Sequence, residues 1–182
     1  ALHPRYEYWQ TARVMGELVP KVLELALAAR AVNIPLMIDA EESDRLEPHM
    51  DVYGALVDAG VADGWTGLGI VIQAYMKRAP AVIEWLAAKA KARGVKLAMR
   101  LVKGAYWDTE IKRAQVLGMA EFPVFTQKNH TDLNYMHCAQ LLRNNQDHIF
   151  PAFASHNAMT LAYVTELFAG ADYELQRLPG MG

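Results

Sequence analysis

The feature that most limits how this chain can fold is its alternation of two hydrophobic periods. Helical stretches place apolar residues at three- to four-residue intervals, and short runs place them at every second position. The helical period covers residues 6–31, 45–59, 79–93, 108–118 and 132–144, with a last helix through about residue 168. The strand period covers residues 34–39, 69–75, 95–102, 149–155 and 173–178. Such alternation argues for a parallel sheet whose strands are joined by right-handed helical crossovers. Pro20 falls inside the first helical stretch and predicts a kink or break, because proline lacks the N–H and its ring crowds the preceding turn. Gly94 is placed to cap the third helix, and EFPVFTQKN, residues 121–129, reads as an irregular loop.

Every predicted strand carries a polar residue at or near its C-terminal end: Asp39, Gln73, Arg100, His156 and Gln176. In an α/β barrel that end is the face where side chains from several strands converge on one ligand. An open doubly wound sheet is the alternative, and there too the ligand lies beyond the C-terminal strand ends. Five strands do not close an eight-stranded barrel, so a barrel needs three strands' worth of sheet in addition to these.

Arg100 is the least expected of these residues. In the run VKLAMRLV, residues 95–102, Val95, Leu97, Met99 and Leu101 share one side, and Lys96, Ala98, Arg100 and Val102 share the other. If the bulky side packs under helices, Arg100 points to the opposite face. A guanidinium there needs an anionic or strongly hydrogen-bonding partner, since an unpaired buried charge costs several kcal/mol. A structural ion pair and a bound ligand both satisfy that requirement.

The net charge of −2 gives no electrostatic footprint for nucleic acid. The single cysteine, Cys138, excludes an intrachain disulfide and agrees with a reducing, cytoplasmic compartment. It reads as a small buried hydrophobe. No uncharged run is long enough to span a bilayer, no signal peptide is visible, and the opening without methionine suggests a processed chain or a piece of a longer one.

Neither the glycine-rich dinucleotide fingerprint nor the phosphate-binding loop motif occurs. The acidic cluster Asp39, Glu41, Glu42 and Asp44 offers oxygen ligands for a divalent cation, but the neighbouring strand ends supply Gln73 and Arg100 instead of further acids. An ion-paired rim is the alternative reading, and the histidines are too scattered to chelate. Lys103 is a candidate Schiff-base lysine. Strand parity opposes that role, because an inward Arg100 turns Lys103 outward. Tyr106 and Trp107, just past Gly104, either stack on a planar ligand at the mouth or cover the core.

RLVKGAYWDTEIKRAQ, residues 100–115, resembles the signature of the proline dehydrogenase domain of bifunctional proline utilization A proteins. IDAEESDRLE (residues 38–47), IQAYMKR (72–78), FASHNAMTLA (153–162) and the closing LPGMG resemble the same family in the same order. The resemblance implies a distorted (βα)8 TIM-type barrel, of which this chain supplies about five strands, from the third barrel helix to the eighth strand. It implies a flavoenzyme that oxidises L-proline to Δ1-pyrroline-5-carboxylate, passing a hydride to FAD and electrons on to membrane quinone. The parent chain would also carry a Δ1-pyrroline-5-carboxylate dehydrogenase domain and lie in the cytoplasm, peripheral on the inner face of the membrane.

Carried over residue by residue, Arg100 resembles the arginine beside the reactive flavin nitrogen, and Asp39 and Tyr106 resemble its catalytic neighbours. Gln73, Val102, Lys103, Gly104, Trp107, Thr126, Lys128, Ser155, His156 and Asn157 resemble the remaining FAD contacts. Asp39, Tyr106 and Leu178 resemble the proline pocket, and no metal is implied. The family's arginine pair that grips the proline carboxylate, and a lysine placed before Ala1, have no counterpart here, so the chain by itself is expected not to turn over proline. A metal-dependent or Schiff-base barrel lyase and a non-catalytic barrel fragment are the competing readings.

Overall fold

The computed structural model describes residues 2–181. Helix α1 (Thr11–Ala31) follows a 3-10 turn, Tyr8–Gln10, and leads through a tight turn to strand β1 (Leu36–Ile38). Next come α2 (Leu46–Asp58), β2 (Leu68–Gln73), α3 (Ala79–Arg93), β3 (Leu97–Val102) and α4 (Trp107–Val116). Helix α5 (Lys128–Asn144), strand β4 (Ile149–Ala154), α6 (Ala158–Leu167) and β5 (Glu174–Gln176) complete the order.

The five strands form one sheet in the order β1-β2-β3-β4-β5, and each neighbouring pair is parallel. Spatial order that follows chain order without reversal is the barrel arrangement. A doubly wound sheet reverses direction at a switch point, and none occurs among the described residues. The described residues therefore supply five strands and six helices of a TIM-type α/β barrel.

The two sheet faces differ as the alternation demands. Ile70, Leu97, Met99, Leu101, Ile149 and Phe153 are fully buried against the helical layer, each contributing about 2–3 kcal/mol of transfer free energy. Phe153 meets Phe168 edge-to-face at 5.0 Å. The opposite, concave face is built largely from small residues, with Gly69, Ala98, Ala152 and Ala154 placed beside Val71, Gln73 and Arg100 by the strand register. A Cβ at Gly69 would fall 2.5 Å from the Met37 methyl, so the thioether lies across the sheet in the space the glycine leaves.

Three expectations shift. Helix α1 runs unbroken through Pro20, because Pro20 and Gly16 are both exposed and the Gly16 carbonyl that loses its donor faces water. Helix α5 begins at Lys128 rather than residue 132, with the Lys128–Asp132 ion pair and buried Thr131 carrying the helix through a polar stretch. Strands β1 and β5 keep only three residues each, and Ile34 is exposed ahead of β1. No helix among the described residues is long and apolar enough to cross a membrane.

Candidate active site

The concave face carries Arg100 at its centre. Register pairs Val71 with Arg100 and Arg100 with Ala152, so the side chain rises between two small or apolar neighbours. Its Nη1 donates to Asp39 Oδ1 at 3.0 Å and its Nε donates to Gln176 Oε1 at 2.5 Å. Strands β1 and β5, at opposite edges of the sheet, thus both supply partners for a cation on the middle strand. Arg100 is half-buried instead of enclosed, and the Asp39 side chain is 77% exposed. A pair that exposed contributes only about 0–1 kcal/mol to stability, so its main effect is to aim the guanidinium.

Gln73, 2% exposed, ends β2 on the same face. Its Nε2 donates to the Glu41 carbonyl at 2.8 Å and its Oε1 accepts from the Ala105 amide at 3.0 Å. One side chain therefore ties the loop after β1 to the turn after β3, while one N–H and one lone pair remain for another partner.

The turn after β3 is set by Gly104. Its φ is +144°, and a Cβ there would lie 2.5 Å from the Tyr75 ring. Tyr106 follows at the start of α4. Burial, and then the negative field of Glu41, Glu42 and Asp39, push its phenol up, so it stays a hydrogen-bond donor at neutral pH. The Trp107 indole donates to the Phe125 carbonyl at 2.9 Å and leaves part of its ring on the rim. Val102 is half-buried on the concave face beside Gln73.

Lys103 points away from that face and pairs with Asp132 of α5, as parity requires. Asp132 also binds Lys128 at 2.9 Å. Hydrogen bonding to Lys103, then to Lys128, holds the Asp132 carboxyl below the usual range, against the opposing effect of burial. An ammonium committed to a carboxylate is a poor Schiff-base nucleophile, which removes the main support for a lyase. Two lysines around one aspartate leave local positive charge, and Thr126, two residues before Lys128, is exposed.

Ser155, His156 and Asn157 form the turn after β4. Ser155 Oγ accepts from the Asn157 amide at 3.1 Å, and Asn157 caps α6 by accepting from the Thr160 amide at 2.9 Å. His156 Nε2 accepts from the Leu178 amide at 3.2 Å and leaves the Leu178 side chain exposed.

The acidic cluster resolves into ion pairs. Arg45 holds Glu41 at 3.1 Å and Glu42 at 3.5 Å, and Arg113 holds Asp44 at 2.6 Å. Among the described residues no group of three or more histidine, cysteine or acidic side chains is arranged to hold a metal. Residue types alone did not single out Ser43, Glu110 or Asp132. They act through partners distant in the chain, and the one local signal is the lysine four residues before Asp132.

A family model described as proline dehydrogenase matches residues 4–182. The chain is 51% identical to the bifunctional protein PutA of Rhizobium meliloti and 49% identical to that of Escherichia coli, over all of its own length. It spans 15% and 14% of those two relatives. Bovine hydroxyproline dehydrogenase is 30% identical over 76% of the chain and is covered over 31% of its own length. A crystal structure of Bradyrhizobium japonicum proline utilization A carrying a D779Y substitution superposes with a TM-score of 0.96 at 54% identity, over the whole chain and 19% of that protein. Proline utilization A of Bdellovibrio bacteriovorus, inactivated by N-propargylglycine, superposes with a TM-score of 0.93 at 31% identity, over 99% of the chain and 19% of that protein. With the motifs in order, the strands in barrel sequence and the family match running from residue 4 to residue 182, the chain belongs to the proline dehydrogenase family.

Proposed function

We propose that this chain is the part of a flavin-dependent proline dehydrogenase that holds the cofactor and one wall of the substrate pocket, spanning the third barrel helix to the eighth strand. The substrate is L-proline and the product Δ1-pyrroline-5-carboxylate. Membrane quinone takes the electrons, and a Δ1-pyrroline-5-carboxylate dehydrogenase region shares the full polypeptide, which sits in the cytoplasm against the inner face of the membrane. The observation that carries the reading is Arg100, aimed from the middle strand by Asp39 and Gln176 over a floor of small alanines.

The residues present fit FAD. Ala98, Ala152 and Ala154 leave the concave face shallow enough for a flat ring system, Gln73 keeps spare hydrogen-bonding capacity, and Lys103 with Lys128 suits an anionic tail. By the same resemblance Val102, Gly104, Trp107, Thr126, Ser155, His156 and Asn157 complete the proposed FAD contacts. When bound, FAD supplies the hydride acceptor. Arg100 would be a fixed cation beside the ring system, and a preorganised charge in a sheltered site would favour added negative charge without reorganisation. Asp39 keeps Arg100 oriented, and Tyr106, held protonated, presents a donor to the substrate pocket beside Leu178. Grip on the proline carboxylate falls to the arginine pair of the family, which has no counterpart among residues 1–182.

The test is proline-dependent reduction of a dye or quinone analogue by the complete protein loaded with FAD. Turnover with L-proline and a flavin absorption band support the reading. A colourless protein that fails to bind FAD, or one that binds it and never reduces it with L-proline, overturns it.

A further inference from the structure

Glu110 is a carboxylate with no assigned part in the chemistry, yet it is 2% exposed and has no lysine, arginine or histidine among its hydrogen-bond partners. Arg113, one turn along α4, lies within its field but commits its guanidinium to Asp44, so hydrogen bonds have to compensate for the water Glu110 loses. Its two oxygens accept from one residue of another element: Oε1 takes the Ser43 amide, and Oε2 takes the Ser43 hydroxyl at 2.6 Å.

Ser43 opens the 3-10 turn Ser43–Arg45 that leads into α2, and the residue before it, Glu42, makes no side-chain cap. The first N–H groups of a helical turn have no partner within it and are ordinarily satisfied by a local cap. Here the cap comes from α4, 67 positions further along the chain. One helical turn further, Arg113 of α4 pairs with Asp44, while Gln73 joins the Glu41 carbonyl to the Ala105 amide. Three successive ties therefore bind residues 41–44 to residues 105–113. Asp39 lies two residues upstream of the first tie and Tyr106 lies one residue past Ala105, so the two candidate pocket residues ride on segments fastened together.

We infer that Glu110, through Ser43, is a positioning residue that holds the Asp39 loop against the turn carrying Tyr106, so that Asp39 meets Arg100 in the reactive arrangement. The inference rests on the proposed proline dehydrogenase reading for its kinetic arm only. Displacement of a catalytic constellation by about 1 Å from a distant substitution can lower rate about a hundred-fold. Removing both acceptors should therefore lower kcat/KM far more than it lowers flavin content.

The experiment uses the complete protein and the variants Glu110→Ala, Glu110→Gln and Ser43→Ala. Hydrogen exchange at residues 39–45 is measured without proline, and kcat/KM for L-proline is measured on FAD-loaded protein. Glu110→Ala should raise exchange at residues 39–45 and lower kcat/KM by about ten-fold to a hundred-fold, while Glu110→Gln, which keeps one acceptor, should recover part of both. Ser43→Ala, a mild change expected to fold, should raise exchange in the same segment, and Ser43→Ala combined with Glu110→Ala should be no worse than Glu110→Ala alone. Unchanged exchange in Glu110→Ala and Ser43→Ala overturns the inference, as does a rate loss matched entirely by loss of bound flavin. If unaltered protein fails to oxidise proline while exchange responds as stated, the functional reading falls and the clamp stands.

Discussion

Acidification should loosen the seam between α2 and β2, and His49 is the reason. This histidine is 3% exposed on the inner side of α2. The strand ladder explains how it is held. Leu36 donates to the Gly67 carbonyl, and the two-residue period brings the Val71 carbonyl to the same edge, past the point where β1 has ended at Ile38. There the Val71 carbonyl faces the His49 ring, whose buried Nε2 has no hydrogen-bond partner among the described residues. Burial dominates and lowers its pKa from 6.5 to about 4, against smaller raising effects from the Val71 hydrogen bond and Asp39.

A base depressed in the folded state is neutral in both states above pH 6.5, so its contribution is intact there. Below that value the unfolded chain takes up the proton first, and stability falls until the folded form protonates near 4. At about 1.4 kcal/mol per pH unit the loss over that window is about 3 kcal/mol. Histidine NMR or hydrogen exchange of α2 and β2 amides, corrected for intrinsic rates, reads this directly. His49→Gln removes the titrating group and should flatten the pH dependence between 6.5 and 4 relative to the unaltered protein. Equal pH slopes in the two proteins, or a His49 resonance titrating near 6.5, would refute the reasoning.

Gly104→Ala should destabilise the turn after β3 by about 3 kcal/mol, combining a strained positive φ with a Cβ driven into the Tyr75 ring; an unchanged melting temperature would count against this. Cys138 is fully buried and its thiol is pushed up to about 12, so a maleimide should label it only after denaturation; stoichiometric labelling of folded protein would contradict its placement. Borohydride treatment in the presence of a carbonyl compound should leave Lys103 unmodified by mass spectrometry, because Asp132 holds its ammonium; a trapped adduct at Lys103 would restore the lyase reading. Residues 1–182 expressed alone with FAD should show no proline-dependent dye reduction, and turnover matching that of the complete protein would place the carboxylate grip within them.

The period of the strands made much of the sheet legible from residues alone. Alternation in residues 95–102 put Arg100 on the face opposite Leu97, Met99 and Leu101, and the same rule turned Lys103 outward. The polar strand ends Asp39, Gln73, Arg100 and Gln176 lie on one face because parallel strands in register present the same parity. What periodicity does not carry is pairing between distant segments. Gln176 stood out as a strand-end residue but not as a partner of Arg100, and nothing near Glu110 marks Ser43 as its partner 67 positions away. Pro20 misled because its cost depends on whether the freed carbonyl meets water, which a sequence does not display. A boundary moved where polar residues pair along a helix, as at Lys128.

The central claim is that Arg100, aimed by Asp39 and Gln176, governs transfer of electrons from proline to bound flavin. Anaerobic mixing of the complete FAD-loaded protein with L-proline, followed at the flavin absorption band, measures that step. The account predicts rapid bleaching in the unaltered protein, and bleaching slower by about a hundred-fold or more in Arg100→Met with a lowered flavin potential and flavin still bound. Bleaching at the same rate in both proteins, with an unchanged potential, would contradict it.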